Sequence, residues 1–201
     1  MANVTTRKGQ VVENPKVVDW LLNDPRAGWI WFVLRIWVGW QWISASLHKI
    51  GNPAWVAGGT ALKGYWTNAV AVPTDGGHAA VAYGWYRAFL QMMLNAQAYT
   101  WFAKLVAYGE FLVGIALVLG LFTGIAAFFG GLMNWSYMMA GSASTNPMLF
   151  LIAVGLILAW KVAGYIGVDY FLLPALGTPW QLRKPNPVGA GAQASKPVSG
   201  D

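Results

Sequence analysis

"FVLRIWVGWQWISASLHKIG", residues 32–51, strings aliphatic and aromatic side chains along a helix-length run, yet carries Arg35 near its start and His48 and Lys49 at its end. At about 100° per residue, Arg35, Gly39, Trp42, Ser46 and Lys49 fall on one narrow face. That stripe is expected to look inward, toward other helices. A guanidinium does not give up its proton in a protein, so Arg35 calls for a partner, and the carboxylates available to an apolar bundle are few.

Outward from this stretch the chain keeps the same character. Of its 201 residues, 57% are hydrophobic and 10% charged, whereas about a quarter are charged in an ordinary soluble domain. Thirteen tryptophans and 24 glycines fit the composition of membrane helices. The expected fold is therefore an all-α membrane protein, a four-transmembrane-helix antiparallel bundle with interfacial amphipathic helices in a long first extracytoplasmic loop. The expected spans are residues 29–50, 101–121, 125–141 and 147–172, judged against about 20 apolar residues per crossing. The connections "FTG" and "SASTN" are short enough to make the last three antiparallel neighbours.

Three regions follow: a cytoplasmic segment 1–28 with a surface helix near 14–24, a transmembrane domain 29–173 that includes the 51–100 excursion, and a flexible cytoplasmic tail 174–201. Within the excursion, Arg87, Gln91 and Asn95 share one helical face and suggest an interfacial helix, and "VPTDGGH", residues 72–78, reads as a turn. Arg7, Lys8, Lys16, Arg26, Arg183, Lys184 and Lys196 lie in the two tails. The positive-inside rule then puts both termini in the cytoplasm of a prokaryotic plasma membrane, with the lipid bilayer as the first partner.

Several chemistries are excluded. Without cysteine there are no disulfides, thiolate nucleophiles, iron–sulfur clusters or cysteine zinc sites. His48 and His78 by themselves make no metal or haem site, and neither group is expected. The net charge of +6 is concentrated in the tails, so nucleic acid is not an expected partner.

Ionisable groups in an apolar setting are costly and are candidates for function. Arg35, Glu110 and Lys161 form the candidate catalytic set. Using the helical rise, Arg35 lies about 9 Å and Glu110 about 16 Å from the same end of the bundle, a gap an arginine side chain can bridge. His48, Lys49, Lys63 and Arg87 make a candidate basic rim able to attract a small anion. Trp42, Asn134, Tyr137 and Trp160 are candidates for a quinone pocket, although buried aromatics and a helix-facing asparagine commonly serve packing alone.

Arg35, Gly39 and Lys49 in the first helix, then "GEFLVGIALVLGLFTGIAAFFGG" (109–131) and "KVAGYIGVDYFL" (161–172), resemble the DoxX/DoxD family of small four-helix membrane proteins. The resemblance implies the membrane subunit of a quinone-linked oxidoreductase, of the thiosulfate:quinone type, with quinone as electron acceptor and a small inorganic sulfur anion as donor. It carries over Arg35, Lys49 and Glu110, with Gly39 and Asp169 as pattern positions. The alternative is a non-catalytic accessory subunit of a larger membrane energy-transducing complex, with other membrane subunits or further copies of itself as partners.

Overall fold

Glycines decide which helices pair. The computed structural model describes residues 4–5, 11–12, 14–73, 77 and 79–177; Arg7, Lys8, His78, most of the 72–78 turn and the tail beyond residue 177, with Arg183, Lys184 and Lys196, lie outside the described residues. In chain order the elements are β1 (Val4–Thr5) paired antiparallel with β2 (Val11–Val12), α1 (Lys16–Asn23), a single 3-10 turn (Pro25–Ala27), and α2 (Gly28–Ile50). Then come α3 (Pro53–Val56), α4 (Thr60–Val70), α5 (Gly84–Asn95), α6 (Tyr99–Leu119), α7 (Thr123–Met139), α8 (Asn146–Leu158), α9 (Trp160–Ala163) and α10 (Asp169–Ala175).

Helices α2 and α6 lie along each other and cross at Gly39 and Gly114. A Cβ placed on Gly39 would stand 2.9 Å from the Gly114 carbonyl oxygen, and one on Gly114 would stand 2.9 Å from that of Gly39. Only two residues without side chains allow so close an approach of backbones. Helix α7 pairs likewise with α8, where Gly131 faces Ala153. Between the two pairs runs a core of Trp31, Val38, Trp42, Val113, Leu117 and Leu156. A second core, with Leu62, Trp66, Tyr86, Leu90 and Ala103, forms where α4 and α5 fold back over one end of α6 and α7.

The local stops are readable in physical terms. Gly120 takes a left-handed φ of +67° and ends α6, the usual way to close a helix. The indole of Trp31 donates to the Leu21 carbonyl at 2.8 Å and fastens α1 to α2. Pro147 falls in the first turn of α8, where its missing N–H costs nothing.

The four-span expectation is corrected. Among the described residues one helix, Tyr99–Leu119, is long and apolar enough to cross a membrane. Helix α2 has 23 residues, but Arg35, Gln41, His48, Lys49 and its many indoles dilute its hydropathy; tryptophan counts as hydrophobic in a composition yet scores low on the hydropathy index because of its indole N–H. Helix α7 stops at 17 residues, and α8 stops at 13, where the regular helix is interrupted at Ala159 before α9. One qualifying helix does not carry a four-transmembrane bundle. The bilayer placement with both termini in the cytoplasm of a prokaryotic plasma membrane, and the lipid and membrane-subunit partners attached to it, rested on that topology and fall with it. The described helices do present large apolar side chains outward, among them Trp40 on α2, Leu112 on α6, Phe128 on α7 and Leu151 on α8.

Candidate functional site

Where α4 and α5 cap the bundle, a buried ion pair sits against an aromatic cavity. Lys49, in the last turn of α2, donates to both carboxylate oxygens of Glu110 at 2.5 Å, and the Tyr137 hydroxyl donates to Oε1 of the same carboxylate at 2.5 Å. Glu110 is fully buried, while the Lys49 side chain is 20% exposed. The ammonium is further held over the rings of Trp55, at 5.2 Å, and Tyr137, at 5.6 Å, a placement that suits a cation against aromatic faces. Charge-assisted hydrogen bonds of this kind offset the desolvation of a buried carboxylate.

The cavity, of about 710 Å3, opens between α6 and α7 and is roofed by α4 and α5. Helix α6 packs chiefly on α2 and α7 chiefly on α8, and the cavity lies between these two pairs. Its walls are predominantly apolar, with Trp66, Phe89, Met93, Phe102 and Val106 among the lining residues, as small-molecule sites usually are. Four hydroxyl-bearing residues line it as well, Tyr65, Tyr86, Ser136 and Tyr137. Tyr65 donates to the Tyr137 carbonyl at 3.2 Å, Tyr86 to the Ser136 carbonyl at 3.0 Å, and Ser136 to the Leu132 carbonyl at 2.8 Å.

Burial raises the phenol of Tyr137 well above its ordinary range, and the adjoining Glu110 carboxylate adds to the rise. Tyr86 and Tyr65 are raised by burial too, with the neighbouring Ser136 and Ser142 opposing. All three hydroxyls therefore keep their protons at neutral pH.

A second polar cluster occupies the other end of the bundle. Arg35, fully buried, donates through Nη2 to the Ile166 carbonyl at 2.7 Å and through Nη1 to the Ala163 carbonyl at 3.3 Å. Burial lowers its pKa from the usual value and the Asp169 carboxylate works against that fall. Asp169 is itself engaged, accepting from the backbone N–H groups of Phe122 at 2.6 Å and Thr123 at 2.7 Å. It thus satisfies the free amides at the start of α7, while its own N–H donates to the Gly120 carbonyl at 2.8 Å. Gly167 gives the guanidinium room, since a Cβ there would stand 2.7 Å from Nη1. The cluster is a clamp that ties the α6–α7 turn to α10.

The structure therefore separates residues that the sequence suggested would meet. Arg35 has no bond to Glu110; Lys49, assigned to the rim, takes that place. Lys161 lies half-buried on α9 and forms no ion pair among the described residues. Of the expected rim, His48 is exposed on α2, Lys63 reaches over the Tyr99 ring at 5.4 Å, and Arg87 lies half-buried on α5, with no common partner. Of the four pocket candidates, Tyr137 lines the cavity. Trp42 and Asn134 are buried behind it, with the Trp42 indole N–H and both polar atoms of the Asn134 amide unpartnered, and Trp160 packs on Gly124 at the clamp end. Tyr65, Tyr86 and Ser136 were missed, because their convergence depends on how α4 and α5 fold back. Among the described residues no group of three or more His, Asp or Glu is placed to hold a metal ion.

Fold and site together define an all-α bundle with a ligand-sized aromatic cavity beside a buried ion pair. No family model, no curated protein and no solved structure matches the chain. The DoxX/DoxD resemblance is corrected accordingly, since short runs such as "GEFLVGIALVLGLFTG" recur wherever glycine and aliphatics alternate in packed helices. The functions drawn from it, thiosulfate:quinone oxidoreductase subunit or accessory subunit of an energy-transducing complex, lose their ground with it, as does the sulfur-anion partner.

Proposed function

We propose that the chain is a binding module for an uncharged, ring-bearing apolar small molecule, held in the cavity between α4, α5, α6 and α7. The observation that carries the reading is the cavity itself: about 710 Å3, predominantly apolar, with its few polar atoms gathered on one wall. The ligand would leave water for aromatic surface, each buried methylene-sized increment contributing about 0.8 kcal/mol. The Lys49–Glu110 pair fixes the Tyr137 wall against which the ligand rests. Quinone belongs to this ligand class by shape and is a probe for the cavity, with no electron transfer proposed.

Gly109 provides the test. It lines the cavity, and a Cβ there would meet nothing within 4 Å, so Gly109→Phe sends a ring into the space without straining the helix. An uncharged fluorescent probe such as N-phenyl-1-naphthylamine should bind the native chain, and Gly109→Phe should weaken binding by at least about tenfold, equivalent to about 1.4 kcal/mol. Undiminished binding to a folded Gly109→Phe variant would place the probe elsewhere on the apolar surface and refute the reading.

A further inference from the structure

The geometry points to a hydrogen-bond donor, a hydroxyl on the ring, as the polar group of the ligand; this rests on the cavity being a binding site. A hydroxyl has one hydrogen and two lone pairs. Each of the four hydroxyls in the wall has already spent its hydrogen within the protein: Tyr65 on the Tyr137 carbonyl, Tyr86 on the Ser136 carbonyl, Ser136 on the Leu132 carbonyl and Tyr137 on the Glu110 carboxylate. All four are anchored to a single stretch of α7 or to the carboxylate beside it. What this wall presents is a group of oxygen lone pairs.

The other donors among the lining side chains are indole N–H groups, those of Trp66, Trp85 and Trp135. Trp85 is 60% exposed and stacks on Trp135, with ring centroids 6.4 Å apart, so these two rings belong to the outer side of the cavity, whereas Trp66, 5% exposed, belongs to its buried wall. The Tyr65 and Tyr86 hydroxyls reach inward to the α7 backbone. A ligand entering past the indoles with its polar group leading would bring that group to the Tyr65, Tyr86, Ser136 and Tyr137 acceptors. A phenolic or alcoholic O–H is matched there, whereas an ether or carbonyl oxygen sets lone pair against lone pair and loses its hydration without return. Aryl alcohols are accordingly the ligand class.

Titration calorimetry with 1-naphthol, 1-methoxynaphthalene and naphthalene separates the possibilities, because the ring is constant and only the hydrogen changes. On the native chain 1-naphthol should bind about tenfold more tightly than 1-methoxynaphthalene, the ratio given by one hydrogen bond, even though the methyl group adds apolar surface. In Tyr86→Phe and in Ser136→Ala the ratio should fall toward one, each ratio being taken within the variant so that any change in the apolar cavity, read by naphthalene, cancels. Equal or tighter binding of the methyl ether to the native chain would overturn the donor assignment and leave the cavity reading standing. Failure of all three compounds to bind a folded protein would overturn both.

Discussion

Replacing Lys49 by methionine and Glu110 by leucine, singly and together, asks whether the buried pair holds the cap of the bundle together. The Glu110 carboxylate receives three short bonds, two from Lys49 and one from Tyr137. Glu110→Leu removes all three but leaves an ammonium whose side chain is already 20% exposed and can regain some water. Its cost should lie near the lower end of the range for a broken buried pair, about 3 kcal/mol. Lys49→Met is harsher, because the fully buried carboxylate keeps a single donor, and should cost about 5 kcal/mol. The double variant replaces both charges with apolar groups of similar length, the exchange that is often near neutral. Denaturant unfolding followed by far-ultraviolet circular dichroism should therefore give a coupling approaching about 8 kcal/mol between the sites, the two single costs less that of the near-neutral double variant. Additivity within about 0.5 kcal/mol would show that the two side chains do not depend on each other, and the geometry assigned to the site would be refuted.

Gly114→Ala should destabilise by about 1–3 kcal/mol, since its Cβ would stand 2.9 Å from the Gly39 oxygen and 2.7 Å from Ile43 Cγ1; Gly109→Ala, which meets nothing, should instead stabilise by about 0.5–1 kcal/mol, and thermal melts of the two variants check the contrast. The raised phenol of Tyr137 sets an alkaline limit: its proton is held more tightly in the folded chain, so that contribution is complete below about pH 10 and is lost as pH rises further toward the folded value. Tyr137→Phe should make stability above pH 10 fall less steeply, by up to about 1.4 kcal/mol per pH unit for one proton, and an unchanged slope in pH-dependent unfolding would contradict it.

The inward stripe of α2 could be read from spacing alone: Arg35, Gly39, Trp42 and Ser46 are all buried, because a 3.6-residue period fixes which side chains share a face. Which partner each would meet could not, since that depends on register between helices distant in sequence. The signal was nonetheless present. Gly39 faces both Gly114 and Val118, and Gly114 faces Ile43, so α2 and α6 run antiparallel with residue numbers that advance on one as they retreat on the other. Moving from Gly114 back to Glu110 corresponds to moving along α2 past Ile43 toward Lys49, and moving on to Gly120 leads back to Arg35. Matching the small residues first, before assigning depths from the helix ends, gives the observed pairing of Lys49 with Glu110.

The same register explains why the two charged clusters have different chemistry. At the Arg35 end the chain must turn sharply, through Gly120 at φ +67° and Phe122 at φ +46°, and the turn leaves carbonyls and amides without helical partners. Arg35 donates to the Ala163 carbonyl that ends α9 and to the Ile166 carbonyl beyond it, and Asp169 accepts from the amides that open α7, so that cluster is consumed by backbone. At the Lys49 end α6 runs through Glu110 as regular helix, and α2 closes one residue after Lys49, the Leu47 and Lys49 carbonyls accepting from the N–H groups of Gly51 and Asn52. The ionic groups there have only each other and the Tyr137 hydroxyl to satisfy, and the last-turn carbonyls of α7 at Ser136 and Tyr137 accept from the Tyr86 and Tyr65 side chains that line the neighbouring gap. A gap lined by side chains can hold a ligand without exposing unpaired backbone, which is why the cavity belongs beside Glu110 and not beside Arg35.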